Sequence, residues 1–445
     1  MLNQFDKLNQ ENVDLPQEFL SRMKVILKDE FNDFCHALSQ KKQSAIYVNN
    51  KIELEKFKSI VDFKISQIPY EQRGFYVEEK LGKHPLHHAG AFYVQEPSAM
   101  FTVNACNLNG DEKVLDMCAA PGGKTIQLAN KVPNGMVVSN EINNERCGIL
   151  FSNVERMGLK NVIVSNDSPK NVAKAYANSF DVVLLDAPCS GEGMFRRGEQ
   201  VIKEWNKNLP QMCAERQLDI LNNADLALKQ NGFLIYSTCT YSIEENEGVV
   251  KQFLKNHNYK LVEIKADLPK GIDMIEAVRL YPHRVKGEGQ FVALLQKLDE
   301  NDNSPNTILR LKSCSLAAQF VKENANMIAD DCFEFGEYAY LVKDKTMVKR
   351  GVNYYSIGVR VGSNKQKRFE PAHNLFTAFG RDFKMKLDYS FDCTNIKKYI
   401  KGETLEVELK DGYGTILASG CALGGFKIAA GKFKNHYPKG LRNLK

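Results

Sequence analysis

Two cysteines stand where predicted strands end, and a cysteine thiolate in such a position could attack a bound ligand. Cys189 lies in the stretch DAPCSG, directly after the apolar run DVVLL, and Cys239 lies in STCTYS, directly after FLIY. Cysteine is also among the most buried residue types and is seldom reactive. We accept that structural interpretation for Cys118 and Cys213. For Cys189 and Cys239, which would face one cleft, a functional role is the stronger hypothesis.

A thiol beside a carboxyl group suits the methylation of C5 of cytosine. C5 is a poor nucleophile, but a thiolate that adds to C6 turns the ring into an enamine that can take a methyl group. The C5 proton must then leave and the thiol be expelled. A carboxyl group that hydrogen-bonds to N3 would relieve the developing charge, and Asp186 is the candidate. Methylation of an exocyclic nitrogen needs no thiol. A cysteine after Pro188 therefore indicates carbon chemistry, with either cysteine open as the nucleophile.

Strands and helices alternate from about residue 112 onward. The predicted strands are KVLDM, GMVVSN, NVIVSN, FDVVLLD and GFLIYST, and helical windows separate most of them, including residues 213–231. This pattern predicts an α/β fold with a doubly wound, mostly parallel, Rossmann-like sheet. In such a sheet, ligands bind outside the carboxyl ends of the strands. The residues that directly follow each strand are therefore the candidate site.

The loop after the first strand is glycine-rich but does not fit a phosphate-binding motif. Gly122 and Gly123 let the chain turn sharply and admit a ligand close to the backbone. A P-loop would need a glycine where Cys118 stands, and no GxGxxG occurs. The loop thus disfavours both a nucleoside triphosphate and a dinucleotide.

Acids follow four successive predicted strands. They are Asp116, Glu141, Asp167 and Asp186. An acid in the place of Glu141 commonly binds ribose hydroxyls, and Asp167 could accept from an exocyclic amine. Each acid alone could be a helix cap or a turn residue. Together they fit a ligand with ribose and adenine but no phosphate, which is S-adenosylmethionine.

Length and composition indicate a folded chain of several domains. The 445 residues are 43% hydrophobic and 26% charged, which predicts two to four domains. We expect a cytoplasmic protein, because there is neither a long apolar run nor a signal-peptide pattern at the start. The eleven cysteines include no CxxC pair and no Cys/His cluster. We therefore expect free thiols and no metal site.

The regions around the alternating part have other patterns. Residues 1–93 predict a small N-terminal α+β domain, in which Phe19, Met23, Ile26, Leu27 and Phe31 would form core contacts. Residues 94–298 form the predicted catalytic domain, and 297–306 read as a linker. We expect an intermediate domain at 306–375 and a strand-rich domain at 385–445. Residues 338–343, 356–362, 405–409 and 414–419 are predicted strands.

The end of the chain is basic. Residues 427–445 carry six lysines and arginines and no acid, against a net charge of +6 for the whole chain. The interleaved Phe433, His436 and Tyr437 could stack on bases while the lysines neutralise phosphates. The alternative is a solvated basic tail.

Three motifs together resemble a known enzyme family. DMCAAPGGKT, DAPCSGEG and STCTYSIEENEGVV are similar to those of the RsmB/RsmF (Nop/Sun) RNA cytosine-5 methyltransferases. Further stretches resemble the RsmF branch, namely GKHPLHHAGAFYVQEPSAM, RLYPHRVKGEGQFVALL and GKFKNHYPKGLR. The resemblance implies S-adenosylmethionine as cofactor, an N-terminal accessory RNA-binding domain and a C-terminal PUA-like RNA-binding domain. It also implies 5-methylcytidine formation in small-subunit (16S) ribosomal RNA.

The resemblance also assigns roles to residues. Glu141 would bind the ribose, Asp167 would lie on the adenine side, and Asp186 would lie by the methyl donor and the base. Cys239 becomes the nucleophile and Cys189 assists release of the product, a choice that the chemistry alone left open. The loop around the methionine end of the cofactor would comprise Cys118, Ala119, Ala120, Pro121, Gly122, Gly123 and Lys124.

Two departures from the family pattern and two rival functions accompany this hypothesis. Tyr47 stands where an arginine is often found, and Gln290 stands where a histidine is common. We attach no catalytic consequence to either. One rival is a DNA cytosine-5 methyltransferase that uses Cys189, and the other is a catalytically silent RNA-binding ribosome assembly factor. The expected partner is 16S rRNA or the small ribosomal subunit. The sequence leaves the oligomeric state open, with a monomer expected.

Overall fold

The computed structural model of the chain describes residues 15–327, 331–365 and 368–442. Within these ranges no helix has the length and apolar character that crossing a bilayer requires. The strands form four sheets, and the largest has ten strands. The described residues therefore have the α/β architecture that the alternating sequence pattern predicts.

The N-terminal region combines a helical pair with a small antiparallel sheet. Its sheet order is β2-β3-β1-β4. Its helices are α1 (Gln17–Leu27), α2 (Phe31–Ser39), α3 (Leu54–Ile60) and α4 (Pro85–His88). Its strands are β1 (Ser44–Val48), β2 (Ser66–Ile68), β3 (Glu71–Val77) and β4 (Phe92–Val94).

The apolar face of the helical pair is buried, but not in a core of the N-terminal region. Phe19 and Met23 are fully buried, as predicted. Their cluster includes Phe195, Trp205 and Tyr241, which belong to loops and turns near the carboxyl ends of the large sheet. The prediction that this face packs within a separate small domain is therefore wrong. A helical period reveals an apolar face but not the surface that covers it.

The large sheet has a parallel centre. Its strands β5 to β9 are Lys113–Asp116, Met136–Asn140, Val162–Ser165, Phe180–Asp186 and Leu228–Thr238. They lie in the order β9-β8-β5-β6-β7, and all their pairings are parallel. The order reverses beside β5, so the crevice at the carboxyl ends of β5 and β8 is the expected ligand site. Both strands end in an aspartate there, Asp116 and Asp186.

Helices cover both faces of this sheet. The helices of this region are α5 (Pro97–Met100), α6 (Gly123–Lys131), α7 (Asn144–Met157), α8 (Pro169–Ala175), α9 (Glu199–Glu204), α10 (Leu209–Ala227) and α11 (Val249–Asn256), of which α9 buries no side chain. A π-helical turn, Glu244–Gly248, precedes α11. Neighbouring strand residues point to opposite clusters, as Val114 and Leu115 do. Burial on both faces explains why these strands read as continuous apolar runs.

Antiparallel strands extend the sheet at both edges. On one side lie β10 (Tyr259–Val262), β11 (Lys270–Gly271), β12 (Met274–Leu280) and β13 (Gln290–Lys297), and β13 pairs with β9. At the other edge, β17 (Tyr354–Ser356) pairs with β7. A strand from the predicted 306–375 region thus belongs to the large sheet. The four predicted domain ranges remain a proposal.

Two further sheets follow. The first has β14 (Lys312–Ser313), β15 (Cys332–Phe335), β16 (Tyr338–Leu341), β18 (Val359–Lys365) and β19 (Arg368–Pro371), with α12 (Ser315–Asn324) and α13 (His373–Phe379). The second has β20 (Lys386–Tyr389), β21 (Gly412–Ala418), β22 (Cys421–Ala429) and β23 (Lys432–Asn435), with α14 (Thr394–Lys401). It shares an apolar cluster with the N-terminal sheet, so the two end regions pack together.

Three predicted elements differ from the structure. The helix predicted over 213–231 ends at Ala227, because β9 already begins at Leu228. The strand predicted over 356–362 is divided between two sheets at Gly358, whose φ is +151° and where a Cβ would lie 2.4 Å from the Leu341 carbonyl oxygen. Residues 405–409 form no strand. Leucine and valine alternate with glutamate here because Leu405, Val407 and Leu409 pack against the apolar cluster, without pairing to another strand.

Candidate active site

The two candidate cysteines lie side by side at neighbouring strand ends. Cys189 follows β8 and Cys239 follows β9, which are parallel neighbours, and the two Sγ atoms are 3.2 Å apart. Both residues are partly exposed, and neither is in a disulfide. The pKa of the Cys189 thiol is raised well above its usual range by the hydrogen bond with Cys239, by burial and by nearby negative charge. One thiol of such a pair can hold the proton while the other is a thiolate.

Asp186 lies three residues before Cys189 and is held by three side chains. The Lys124 ammonium is 2.6 Å from Asp186 Oδ2. Ser237 Oγ donates to Asp186 Oδ1 at 2.7 Å, and Gln290 Nε2 donates to the same oxygen at 3.1 Å. Burial lowers the pKa of Lys124, but attraction to Asp186, Asp116 and Cys239 outweighs it and the pKa is raised. The charged Lys124–Asp186 pair is thus fixed next to the thiols.

Gln290 is a site residue that the sequence analysis set aside. It opens β13, which the pattern of alternating strands and helices does not include, and its amide contacts Asp186 directly. The expectation that this departure has no catalytic consequence stays untested, but the contact places Gln290 among the residues that hold Asp186. The family resemblance marked the position, and that was the available signal.

The glycine-rich loop joins β5 to α6 and packs closely against neighbouring side chains. Gly122 has φ +112°, a conformation that favours glycine, and a Cβ there would lie 3.0 Å from Leu150. A Cβ on Gly123 would lie 3.1 Å from both Tyr93 and Gln95. Donors from α7 hold the loop itself: Arg146 Nη2 reaches the Ala120 carbonyl at 2.8 Å, and Asn153 Nδ2 reaches the Pro121 carbonyl at 2.9 Å.

The electrostatics of the crevice suit a cationic ligand. Asp116 is fully buried, and its Oδ2 accepts from Thr125 Oγ1 at 2.7 Å. Its Oδ1 is buried without a hydrogen-bond partner. Burial raises the pKa of Asp116 to about 7, and the charges of Asp186 and Glu141 add to this effect. Three acids, Asp116, Glu141 and Asp186, are balanced by Lys124 and Arg146 only, and this excess of acid fits the sulfonium and ammonium groups of S-adenosylmethionine.

The two outer acids are already engaged by the protein. Glu141 is buried, with Oε1 accepting from the Asn143 amide at 2.9 Å and Oε2 lying 3.4 Å from Arg146 Nη1. Asp167 Oδ1 accepts from the Ser168 amide at 2.8 Å. Asp167 Oδ2 accepts from Asn171 Nδ2 at 2.6 Å and from the Asn353 amide at 3.0 Å. Both residues lie at the predicted strand ends, oriented by these contacts.

Asn140, the last residue of β6, links the ends of the parallel strands. Its Nδ2 donates to the carbonyl groups of Met117 at 3.3 Å and Asp167 at 2.9 Å. Its Oδ1 accepts from Ser165 Oγ at 2.9 Å. The sequence analysis passed over Asn140 because it searched the strand ends for acids. A fully buried amide at a strand end is consistent with this supporting role.

The remaining sequence candidates lie elsewhere. Phe433 and Tyr437 are buried, with Phe433 stacked on Phe426 and the Tyr437 hydroxyl 2.8 Å from His88 Nδ1. The hypothesis that these two rings stack on bases is therefore wrong, because they form part of the C-terminal core.

Tyr47 is also buried. Burial raises the pKa of Cys118 above its usual range and that of Cys213 to about 11, in line with their structural interpretation. The described residues contain no group of three or more His, Cys, Asp or Glu side chains that could hold a metal ion.

The strand order reverses beside β5, and the residues at that reversal are acids, with no phosphate-binding loop among them. These features place the molecule in the class of methyltransferases that use S-adenosylmethionine. Residues 103–296 match the family model described as 16S rRNA methyltransferase RsmB/F. Residues 15–97 match the N-terminal domain of 16S rRNA methyltransferase RsmF, and 386–443 match the methyltransferase RsmF PUA domain. The chain belongs to the RsmB/F family of methyltransferases.

Relatives and solved structures agree with this assignment. The chain is 36% identical over 335 residues to ribosomal RNA small subunit methyltransferase F of Vibrio vulnificus, covering 71% of this chain and 70% of the relative. It is 30% identical to the protein of that name from Klebsiella pneumoniae, over 97% of both chains. A methyltransferase homologue from Pyrococcus horikoshii is similar with TM-score 0.58 and 28% identity, covering 66% of this chain and 98% of that one. NSun6 from the same organism, solved with SFG, has TM-score 0.59 at 23% identity over 64% of this chain and 99% of its own, and supports the fold.

Proposed function

We propose that this chain methylates C5 of a cytidine in 16S ribosomal RNA through a covalent bond between Cys239 and C6. The observation that carries the proposal is the pair of thiols 3.2 Å apart beside the Lys124–Asp186 ion pair. A methyltransferase that acts on nitrogen or oxygen has no use for two thiols in this position. The relatives named ribosomal RNA small subunit methyltransferase F support the choice of substrate.

The proposed reaction assigns one role to each residue of the site. The Cys239 thiolate adds to C6, and the electron pair of the C5–C6 double bond moves into the ring toward N3. The Lys124–Asp186 pair supplies a hydrogen bond to N3 and stabilises that charge. When bound, S-adenosylmethionine supplies an electrophilic methyl group for C5. Once Cys239 is bonded to C6, Cys189 no longer shares its proton with a second free thiol and releases that proton to solvent. The Cys189 thiolate then takes the C5 proton, the C5–C6 double bond re-forms, and the bond from C6 to Cys239 breaks with its electrons returning to sulfur.

The residues that would hold the cofactor follow from the same crevice. We assign the methionine end to the loop of residues 118–124, the ribose to Glu141 and the adenine side to Asp167. The unpaired Oδ1 of Asp116 faces this group of charges and adds an acceptor for a positively charged atom.

The RNA must deliver an unstacked base to the partly buried thiols. Sequence-specific RNA recognition acts mostly on single-stranded or irregular regions, which need protein surface outside the catalytic crevice. We assign this task to the N-terminal region and the C-terminal sheet, where Lys432, Lys434 and Lys439 are exposed. A monomer that acts in the cytoplasm on 16S rRNA or the small subunit completes the proposal.

Trapping of the covalent adduct tests the assignment of the nucleophile. The enzyme is incubated with 16S rRNA and S-adenosylmethionine, and RNA-linked protein is quantified on denaturing gels. The Cys239→Ala variant should form no adduct, whereas Cys189→Ala should accumulate it because release is blocked. Cys393→Ser, which changes a remote and similarly exposed cysteine, is the matched control. An adduct that survives Cys239→Ala but disappears with Cys189→Ala would overturn the assignment.

Two comparisons separate the rival functions. The same assay with a DNA duplex in place of RNA tests the DNA methyltransferase alternative. Bisulfite sequencing of 16S rRNA from a strain that lacks this gene should reveal a cytidine that has lost its methyl group. An unchanged methylation pattern would favour the silent assembly factor.

A further inference from the structure

A buried carboxylate that the proposed reaction does not use lies against the thiol pair. Glu245 belongs to the π-helical turn before α11 and is fully buried. Its Oε2 accepts from the Ser190 amide at 2.9 Å and from Gln217 Nε2 at 2.9 Å. Its Oε1 accepts from the Ser190 hydroxyl. Ser190 is the residue that directly follows Cys189, so Glu245 binds the loop that carries this thiol.

The same contacts hold the Cys189 backbone on both sides. Gln217 Nε2 donates to the Pro188 carbonyl at 3.0 Å, while Glu245 accepts from the Ser190 amide. The groups directly before and after Cys189 are thus fixed by one buried amide and one buried carboxylate. Tyr236 completes the support, since its hydroxyl donates to Gln217 Oε1 at 3.0 Å.

A hydroxyl contact extends this support to the second cysteine. Ser190 Oγ and Thr240 Oγ1 are 2.8 Å apart, and Thr240 directly follows Cys239. Asn246, the neighbour of Glu245, donates to the Thr240 carbonyl at 3.0 Å and accepts from Thr238 Oγ1 at 2.5 Å. The turn that carries Glu245 therefore fastens both thiol-bearing loops and sets their separation.

Glu245 also acts on the thiols through its charge. Its three hydrogen-bond partners are all donors, which suits the ionised carboxylate, although burial raises the pKa of Glu245 to about 7. The carboxylate contributes to the raised pKa of Cys189. On the other side of the pair, Cys239 is among the groups that raise the pKa of Lys124. The other titratable groups that face Glu245 and its network are Glu192, Cys213, Tyr236 and Glu247.

We propose that Glu245 is a positioning residue that holds the two cysteine loops together and keeps the shared proton on Cys189, so that the thiolate resides on Cys239. Two thiols 3.2 Å apart cannot both be ionised at neutral pH without strong repulsion. The Glu245 carboxylate is bonded to the residue after Cys189, so it disfavours a negative charge on that thiol more than on Cys239, whose following residue Thr240 is bonded to Ser190 and Asn246 instead. The inference deepens the proposed function, on which it rests, by explaining why one of two similar cysteines attacks.

Alkylation of the enzyme without RNA tests this assignment of the proton. The full-length protein is treated with iodoacetamide between pH 6 and pH 9, and modification of each cysteine is measured by mass spectrometry of its peptide. In the wild type we expect Cys239 to react first. Glu245→Gln removes the charge at nearly constant shape and should raise the ratio of Cys189 to Cys239 modification about tenfold, the effect of one pKa unit. Glu244→Gln, which changes an exposed neighbouring carboxylate, should leave the ratio unchanged.

The controls separate charge from folding. Ser190→Ala deletes a hydrogen bond but keeps the carboxylate, so Cys239 should remain the first site of modification. If Glu245→Gln does not fold, the wild type can still refute the proposal, because Cys239 must react before Cys189 in it. A wild type in which Cys189 reacts first, or a folded Glu245→Gln with an unchanged ratio, overturns the proposal. Adduct trapping on RNA remains the separate test of the proposed function, since alkylation needs no substrate.

Discussion

Breaking the buried ion pair behind the Cys239 loop should strongly destabilise the protein. Arg279 is 2% exposed and Glu247 is fully buried. The contact is bidentate, with Arg279 Nε 2.7 Å from Glu247 Oε1 and Nη2 2.5 Å from Oε2. Arg279 Nη1 also donates to the Tyr241 carbonyl at 2.9 Å, two residues beyond Cys239. The pair therefore links the end of β12 to the loop of the proposed nucleophile.

Replacing Arg279 by methionine should destabilise the protein by about 3 to 5 kcal/mol, the usual effect of removing one partner of a buried pair. Glu247 would retain one backbone donor, the Ile272 amide at 2.8 Å, for a buried charge. Coulomb's law gives an attraction of about 4 kcal/mol between two unit charges about 4 Å apart at an effective dielectric constant of about 20, which agrees with the expected loss. The double variant Arg279→Met/Glu247→Met removes both charges, so its loss should be smaller than that of Arg279→Met alone.

Urea unfolding followed by the fluorescence of Trp205 provides the assay. Trp205 is the only tryptophan of the chain, and it lies in the same apolar cluster as Tyr241. The two single variants and the double variant form a double-mutant cycle, which isolates the pairwise term. Lys203→Met, which breaks an exposed pair with Glu199, is the matched control and should leave the stability nearly unchanged. A loss below about 1 kcal/mol for Arg279→Met, or losses that simply add, would refute the reasoning.

Three further predictions concern the site and its support. Phe19→Ala should cost about 3 to 5 kcal/mol and shift Trp205 emission to the red, because Phe19 is fully buried against that ring. Gln290→Leu should lower kcat about tenfold in a methyl-transfer assay and leave KM for RNA nearly unchanged, because it removes a hydrogen bond to Asp186. Burial raises the pKa of Asp116 to about 7, so its contribution to stability is present below about pH 4 and lost as the pH rises to 7. Asp116→Asn should therefore be more stable than the wild type at pH 8 by up to about 4 kcal/mol, with little difference at pH 4, while binding S-adenosylmethionine more weakly.

Each of these has a clear contrary result. A Phe19→Ala protein with unchanged emission would show that the helical pair does not cover Trp205 in solution. A Gln290→Leu protein that changes KM alone would place this side chain in RNA binding instead of in support of Asp186. Equal stability of Asp116→Asn and wild type at pH 8 would mean that the buried carboxyl group carries no unfavourable charge.

The sequence predicted the positions of the site better than the contacts within it. Cys189, Cys239 and Asp186 could be placed because each directly follows an apolar run, and parallel strands end at the same edge of a sheet. Gln217 could not be found in this way. It lies in the middle of α10, where its side chain looks like any polar helical residue, yet it is fully buried and reaches the Pro188 carbonyl. Its role depends on which helix covers the carboxyl end of β8, and local patterns do not contain that information.

In the C-terminal region, the sequence analysis predicted the exposed lysines but assigned the neighbouring aromatic residues to the wrong face. The basic composition of this region predicts either a phosphate-binding surface or a solvated tail; Lys432 and Lys434 are exposed on β23, which fits both, and Lys445 lies outside the described residues. The aromatic residues between those lysines were wrongly read as part of the same surface. Strand geometry sends alternate side chains to opposite faces, so exposed lysines imply that the intervening Phe433 points inward. The alternation of charged and apolar residues in this strand therefore predicts the burial of Phe433. The closeness of aromatic and basic residues in the sequence does not show that they share one surface.

The loops that carry the two thiols are fixed at the residues after each cysteine by separate parts of the chain. Glu245 binds Ser190, Arg279 binds the Tyr241 carbonyl, and the Tyr241 amide donates to Glu192 at 3.2 Å. Glu192 is in turn paired with Arg22 of α1, so the N-terminal helices also support the catalytic loops. Covalent catalysis is sensitive to displacements of about 1 Å. A family member that lacked α1 and α2 would thus lose a support of these loops, because the contact between Arg22 and Glu192 would be missing.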